Sequence, residues 1–329
     1  MKTEKILVTG GFGFIGSHLV ERLLKEPNDC VHVVDSLITS PLDLPAYLSR
    51  VAAEERLTYD VMSVGDFFAR PALPKFDKIY HLASIVGPVG VLDYGGRIVQ
   101  SMVSDMYAIA EYCMNEGARL CDISTSEIYG GGRDGYCSEA DAKIIPPKVT
   151  VRLEYAVGKL ACEVALINLH RLQELSVVIV RPFNVAGPRQ ASRGGFVLPR
   201  FIRQALAGEP ITVYGDGKMI RAFTHVEDMV EGILSAMERG CPGEAYNIGN
   251  PANKTTIVTL AQKVVEITQS SSEIVHVDPK KLWGRFFEEA NDKFPDADRA
   301  INDLGWRPRY DLDSTIRDSV DYIAEGRCD

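Results

Sequence analysis

None of the seven cysteines (Cys30, Cys113, Cys121, Cys137, Cys162, Cys241 and Cys328) stands at a CxxC spacing, and their number is odd. Neither a disulfide framework nor a cysteine-ligated zinc is therefore expected. No apolar run approaches the roughly 20 residues that a membrane span requires, so no membrane partner is expected. Cations are the scarcer charge: 36 Lys and Arg stand against 45 Asp and Glu, for a net charge of -9. That balance speaks against a general nucleic-acid binder and requires any anionic ligand to be held by local cations. His81 and His225 lack partners at metal-ligand spacing, and no metal is expected. There is no internal repeat and no Gly/Ser or Pro linker. Met1 to Val8 runs straight into a strand-like segment, without a basic stretch, an apolar stretch and a cleavage site, so a cytoplasmic location with reduced thiols is expected.

What remains is an ordinary globular composition, 46% hydrophobic and 25% charged over 329 residues. That length suits a dinucleotide-binding domain with a smaller second lobe. Short apolar runs alternate with helical periodicity. Strand-like segments are Lys5 to Thr9, Val31 to Asp35, Lys78 to Leu82, Arg119 to Ser124 and Ser176 to Val180. Helical ones are Ser17 to Lys25, Ile98 to Glu116 and Arg152 to Glu174. This alternation predicts an α/β fold, a doubly wound parallel sheet covered by helices on both faces. After Arg181 the pattern is broken by Pro182, Gly187, Pro188, Gly194, Gly195 and Pro199, and a helix is expected to resume at Phe201 to Ala207. We therefore divide the chain into a dinucleotide-binding domain over 1–182 and a smaller C-terminal α/β substrate lobe over 183–329, packed as one interleaved unit.

Between the first strand and first helix lies Gly10-Gly11-Phe12-Gly13-Phe14-Ile15-Gly16. In that context Gly10 permits a tight turn, Gly13 lets backbone approach a pyrophosphate, and Gly16 allows close packing of helix on strand, with the helix N-terminus facing the anion. Phe14 and Ile15 open that helix and belong to the cofactor set. Asp35 ends the second strand about 20 residues further on, where a carboxylate accepts both ribose hydroxyls of NAD and repels the 2′-phosphate of NADP. NAD is the expected cofactor. Asp60 and Val61 are candidates for the adenine, with a plain loop as the alternative, and Leu82 and Ala83 follow the fourth strand on the cofactor side.

Tyr155 and Lys159 sit four apart in a helical pattern and so share a face. Such a pair is common on helix surfaces; its weight comes from the fingerprint before it and from Ser124-Thr125-Ser126-Glu127-Ile128-Tyr129-Gly130 at the end of a strand. Together these motifs resemble the extended short-chain dehydrogenase/reductases, specifically the nucleotide-sugar epimerase/dehydratase family. The resemblance runs from residue 5 to about residue 308 and implies a Rossmann-type first domain. An ammonium beside a phenol, with a cationic nicotinamide nearby, lowers the tyrosine pKa toward neutrality. Tyr155 is then expected to take the proton of a sugar hydroxyl, Thr125 to hydrogen-bond the substrate oxygen and Lys159 to hold cofactor ribose as well.

The resemblance also bears on the chemistry after that oxidation. Thr125-Ser126-Glu127 is similar to the segment of UDP-glucuronate decarboxylases and GDP-mannose dehydratases, whereas simple 4-epimerases usually lack the glutamate. A ketone next to C5 acidifies its hydrogen, so Glu127 could be the base of a 4,6-dehydration; with a carboxylate on C5, the same ketone allows loss of carbon dioxide. The decarboxylases resemble one another in an Arg-Lys-Pro segment shortly before a Gly-Trp pair. The matching stretch here is Lys293-Phe294-Pro295 before Gly305-Trp306, with lysine for arginine, which offers charge but no planar fork. Arg285 is the candidate substitute. Arg181 to Gln190 and Gly215 to Asp228 resemble the family's substrate-carrying segments, with Asn184, Arg189 and Arg221 as expected contacts to phosphate or sugar.

The sequence therefore points to an NAD-dependent enzyme acting on a nucleotide-sugar, a UDP-sugar being favoured, through transient 4-keto oxidation. UDP-glucuronate decarboxylation leads, ahead of 4,6-dehydration and 4-epimerisation. A non-catalytic NAD-binding regulator would be expected to have lost Tyr155 or Lys159. The helices near 98–116 and 152–174 are apolar on more than one face, as expected of a homodimer pairing them in a four-helix bundle.

Overall fold

The apolar runs assemble as seven parallel strands: β1 (Lys5–Thr9), β2 (Cys30–Asp35), β3 (Leu57–Val61), β4 (Lys78–His81), β5 (Arg119–Ile123), β6 (Val177–Pro182) and β7 (Ala245–Ile248). The order across the sheet is β7-β6-β5-β4-β1-β2-β3, and every neighbouring pair is parallel. This computed structural model describes residues 3–51, 55–87, 90–130, 136–145, 149–191, 195–283 and 292–326. Strand order reverses between β1 and β4, which opens a crevice at the carboxyl ends of those two strands, the place where open α/β sheets bind ligands.

Both faces of the sheet are covered, so its strands read as nearly unbroken apolar runs. Ile6 and Val8 of β1 point to a core shared with Val33, Tyr80, Met229 and Ile233, where helices Phe14–Leu23 and Val226–Arg239 pack. Leu7, between them in sequence, points the other way, toward Ile79, Leu120, Ile109 and Leu166 under helices Ile98–Glu116 and Val151–Gln173. That alternation is the two-residue period of a strand. The Ile98–Glu116 helix stops at Gly117, which has φ 73°, a left-handed cap open to glycine at little cost. The Val151–Gln173 helix begins at Thr150, whose side chain accepts from Leu153 N.

A third core, built on Leu198, Phe201, Ile211, Phe223, Leu260 and Ile316, belongs to the C-terminal lobe. Its first helix spans Val197–Leu206, four residues earlier than the expected start at Phe201. The difference lies in Pro199: it sits in the first turn, where its missing N–H has no intrahelical partner to lose, and so does not delay the helix. The second half also returns to the main sheet, because β7 pairs with β6 from Ala245↔Ile179 to Ile248↔Pro182. Four short pairings complete the lobe among the described residues: Ile220–Ala222 with Lys254–Thr256, Val185–Ala186 with Thr224–His225, Ile211–Tyr214 with Ile274–Val277, and Tyr136–Cys137 with Phe294–Pro295. Among the described residues no helix is long and apolar enough to cross a membrane.

Candidate active site

The glycine turn is built by close approach. Gly10 has φ 71°, and a Cβ there would lie 2.7 Å from Ala83 N. Leu82 and Ala83 thus close on β1 from β4, at the switch point. A Cβ on Gly16 would lie 2.1 Å from Gly10 O and 2.8 Å from Gly11 Cα, so the close packing this residue permits is of helix on turn rather than helix on strand. Gly13 is the N-cap of the Phe14–Leu23 helix, which has no side-chain cap and no acidic residue in its first turn. Phe14 and Ile15 are half-buried there. An uncapped helix N-terminus facing a crevice is a seat for a pyrophosphate.

Asp35 stands at the end of β2, accepting from Phe12 N at 2.9 Å and Leu37 N at 2.8 Å. Burial pushes its pKa up, and these two backbone donors pull the other way. This cradle and its acidic end fit a dinucleotide. Val61 is 49% exposed. Asp60, a candidate for the adenine, directs both carboxylate oxygens to Arg70, at 2.8 and 2.9 Å, and receives His32 at 3.1 Å.

On the other side of the crevice the Val151–Gln173 helix carries Tyr155 and Lys159 beneath the end of β5. Lys159 Nζ donates to Ile123 O at 2.7 Å and is 4% exposed. The Tyr155 phenol hydrogen-bonds the Thr125 side chain. Its pKa was expected to fall toward neutrality; in the protein alone burial raises it above the ordinary value, against the opposing pull of Lys159 and Thr125. The lowering therefore requires the positive nicotinamide as well. Thr125 also caps the short 3-10 turn Ser126–Tyr129, accepting from Glu127 N at 3.2 Å, and Ser126 is buried in that turn.

Glu127 is where the two halves of the chain converge. Arg152 Nε donates to Glu127 Oε2 at 2.8 Å and Arg152 Nη2 to Glu127 Oε1 at 2.7 Å, while Lys293 Nζ donates to Oε1. Burial raises the carboxyl pKa, but Lys293 and Arg152 together hold it far below the usual carboxylate range. Lys293 is 1% exposed, and burial brings its pKa down to about 8 despite Glu127, with Arg152 and Arg221 adding to the fall. Arg221 is joined to Lys293 through a parallel β-bridge and is half-buried, donating to Ile220 O at 2.8 Å. Asn184, at φ 37°, donates to Ala222 O at 3.3 Å and so borders the same strand; asparagine is among the few side chains that tolerate a left-handed backbone.

The structure thus gathers Thr125, Ser126, Glu127, Tyr155, Lys159, Lys293, Arg221 and Asn184 around one end of the sheet. It does not bring Arg189 there: that guanidinium donates to both oxygens of Glu21, at 2.7 and 2.8 Å, and to Ser17 Oγ. Arg285 lies outside the described residues. Sequence reasoning missed Arg152, although its place one helical turn before Tyr155 was a usable signal. It also missed Asp122, a buried β5 carboxyl pushed by burial up to about 6 against the pull of Lys159. No spacing rule points to that residue. No group of three or more His, Cys, Asp or Glu placed to hold a metal occurs among the described residues.

A glycine-lined crevice beside a Tyr-Lys pair, faced by a second lobe, is the arrangement of a dinucleotide-binding dehydrogenase fold. The model of the NAD dependent epimerase/dehydratase family matches residues 6–249, and the chain belongs to that family. It is 33% identical to a UDP-N-acetyl-alpha-D-glucosaminuronate decarboxylase of Bacillus cytotoxicus over 98% of both chains. It is 34% identical to UDP-glucuronic acid decarboxylase 2 of Arabidopsis thaliana over 94% of this chain, which spans 66% of that protein. The UDP-glucuronic acid 4-epimerase of Bacillus cereus, solved with UDP-glucuronic acid and NAD, superposes with a TM-score of 0.83 at 27% identity, covering 98% of this chain and 99% of that one.

Proposed function

We propose that this enzyme decarboxylates a UDP-linked hexuronic acid and that its acid is Lys293. The observation that carries the reading is the state of Glu127. A 4,6-dehydration needs a base for the C5 hydrogen, and a carboxylate neutralised by Arg152 and Lys293 is a poor one. Decarboxylation needs no base at C5. It needs a proton donor there, and a buried ammonium with a pKa of about 8 is suited to that task near neutral pH. The relatives named as decarboxylases of UDP-linked uronic acids support the same substrate class.

NAD, held by the glycine turn and Asp35, would supply the acceptor and later the source of the C4 hydride. Tyr155 as phenolate takes the C4 hydroxyl proton, held in reach by Thr125 and stabilised by Lys159. The resulting ketone is β to the carboxylate; the bond from C5 to the carboxyl carbon breaks, carbon dioxide leaves, and the electron pair passes into the enolate of the C4 ketone. Lys293 protonates C5 and is reprotonated from solvent, and Tyr155 gives its proton back to the C4 oxygen on reduction. One proton is consumed per carbon dioxide released. Gly10, Gly13, Phe14, Ile15, Gly16, Asp35, Leu82 and Ala83 hold the cofactor during these steps, and Arg221 and Asn184 hold the diphosphate and sugar.

Product mass spectrometry after incubation with NAD and either UDP-glucuronate or UDP-N-acetylglucosaminuronate tests the proposal: loss of carbon dioxide supports it, loss of water or an unchanged mass sinks it. A homodimer through the Ile98–Glu116 and Val151–Gln173 helices belongs to the same reading, supported by Tyr107 and Val164, each 52% exposed on them. Light scattering of the purified protein tests it. Six described cysteines are free thiols, which suits a cytoplasmic setting.

A further inference from the structure

Two residues of the sequence motifs take no part in the chemistry above: Tyr129, at the end of the Thr125-Ser126-Glu127 turn, and Arg181, which opens the Arg-Pro-Phe-Asn segment. The structure joins them. Arg181 Nη1 donates to the Tyr129 hydroxyl at 2.9 Å, and that hydroxyl donates to Asn247 Oδ1 at 2.7 Å. Arg181 is anchored in turn by Glu163 on the Tyr155 helix, through bonds of 2.6 and 3.0 Å, and Glu163 also accepts from Ser124 Oγ. Asn247 and Arg181 are 0% and 4% exposed and Tyr129 is 3% exposed, so none of these groups is satisfied by solvent.

The other end of this chain of bonds reaches the segment that carries Lys293. Asn247 Nδ2 donates to Cys137 O at 2.8 Å and to Asp296 O at 3.3 Å, and Cys137 belongs to the short strand that pairs with Phe294–Pro295. Pro295 packs against Gly249, where a Cβ would lie 2.7 Å from its Cγ. Lys293 directly precedes Phe294, so its seat is fixed by what holds this strand. A side chain on a short two-residue strand has little intrinsic rigidity, and a proton donor misplaced by about 1 Å loses much of its rate advantage.

We infer that Tyr129 and Asn247 are positioning residues, whose buried hydrogen bond ties the turn bearing Glu127 to the strand bearing Lys293 and so sets where the ammonium meets the sugar. The inference rests on the proposed decarboxylation but concerns only its second half. Oxidation at C4 depends on Tyr155, Thr125 and Lys159, and neither partner of the Tyr129–Asn247 bond hydrogen-bonds any of these three side chains.

The test uses the full-length enzyme with NAD and whichever uronate the wild type decarboxylates, comparing Asn247→Ala and Tyr129→Phe in the wild-type and Lys293→Met backgrounds. NADH appearing in a single turnover reports oxidation, and formation of the UDP-pentose, which follows protonation at C5, reports the later steps. In the wild-type background both variants should keep single-turnover oxidation while the ratio of the pentose-formation rate to the oxidation rate falls roughly tenfold or more. In the Lys293→Met background neither variant should lower that ratio further, because the group they position is gone. Tyr129→Phe keeps the ring in place and guards against loss of folding by Asn247→Ala. Unchanged ratios in the wild-type background, or an equal fall in both backgrounds, would overturn the inference. A wild-type enzyme that oxidises its sugar without releasing carbon dioxide would overturn the proposed function instead.

Discussion

Lys293 and Glu127 are 166 residues apart in sequence and meet as an ion pair in which the lysine is 1% exposed. A buried ammonium against a carboxylate already engaged by Arg152 gives a cluster of two cations and one anion. Such a cluster fixes the protonation state of Glu127 firmly and leaves Lys293 as the member able to titrate near neutral pH.

The first consequence is a pH profile. Lys293 is an acid only while protonated, and its pKa lies at about 8. The rate of pentose formation should therefore fall as pH rises through that value. Lys293→Arg should abolish this limb at a lower plateau rate, since a guanidinium stays protonated and gives up its proton poorly, and Lys293→Met should slow pentose formation by about 10² to 10⁴. A pH titration of steady-state rates for the three proteins decides the matter.

Removing either partner of Lys293 should shift the limb in opposite directions. Glu127 raises the lysine pKa and Arg152 lowers it. Glu127→Gln should thus move the limb to lower pH and Arg152→Met to higher pH. Glu127→Gln leaves two cations without their anion, at a cost of up to about 3–5 kcal/mol, so urea unfolding should accompany the profiles. Shifts of the same sign would contradict the arrangement.

Tyr155→Phe removes the base for the C4 hydroxyl. Single-turnover NADH formation should fall by about 10² or more, while NAD binding measured by calorimetry is retained through the glycine turn and Asp35. Loss of binding together with turnover would mean that the tyrosine is structural.

The glycine turn separates two kinds of constraint. A Cβ on Gly16 would sit 2.1 Å from Gly10 O, whereas on Gly13 it would meet only that same atom, at 3.1 Å. Gly16→Ala should lower stability by roughly 1–3 kcal/mol even without cofactor, as overpacking does. Gly13→Ala should spare stability and weaken NAD binding, because this glycine faces the pyrophosphate seat. Thermal melts with and without NAD distinguish them.

The sheet was legible in the sequence because a doubly covered parallel strand must be apolar throughout, and β1, β4, β5 and β6 read that way. The β7 segment Ala245–Ile248 was not assigned to this sheet, since four residues after a long irregular stretch carry no sign of which sheet they join. Gly10, Gly13, Gly16 and Asp35 were readable from their spacing between strand and helix, and Tyr155 with Lys159 from helical period. Lys293 was found only through a motif match, and its meeting with Glu127 lies beyond any local pattern because two short strands, Tyr136–Cys137 and Phe294–Pro295, bring it about. The ion partners of Arg189 and Asp60, Glu21 and Arg70, were not legible, because a charged residue beside a motif reads as a ligand contact and its partner announces nothing in sequence.

The most direct test of decarboxylation with protonation at C5 is to run the reaction in deuterium oxide with UDP-glucuronate or UDP-N-acetylglucosaminuronate labelled at the carboxyl carbon, monitored by NMR. The label should leave as carbon dioxide and bicarbonate while the product pentose gains a single deuteron at C5. A label that stays in the sugar, whether with loss of water or with inversion at C4, would contradict it.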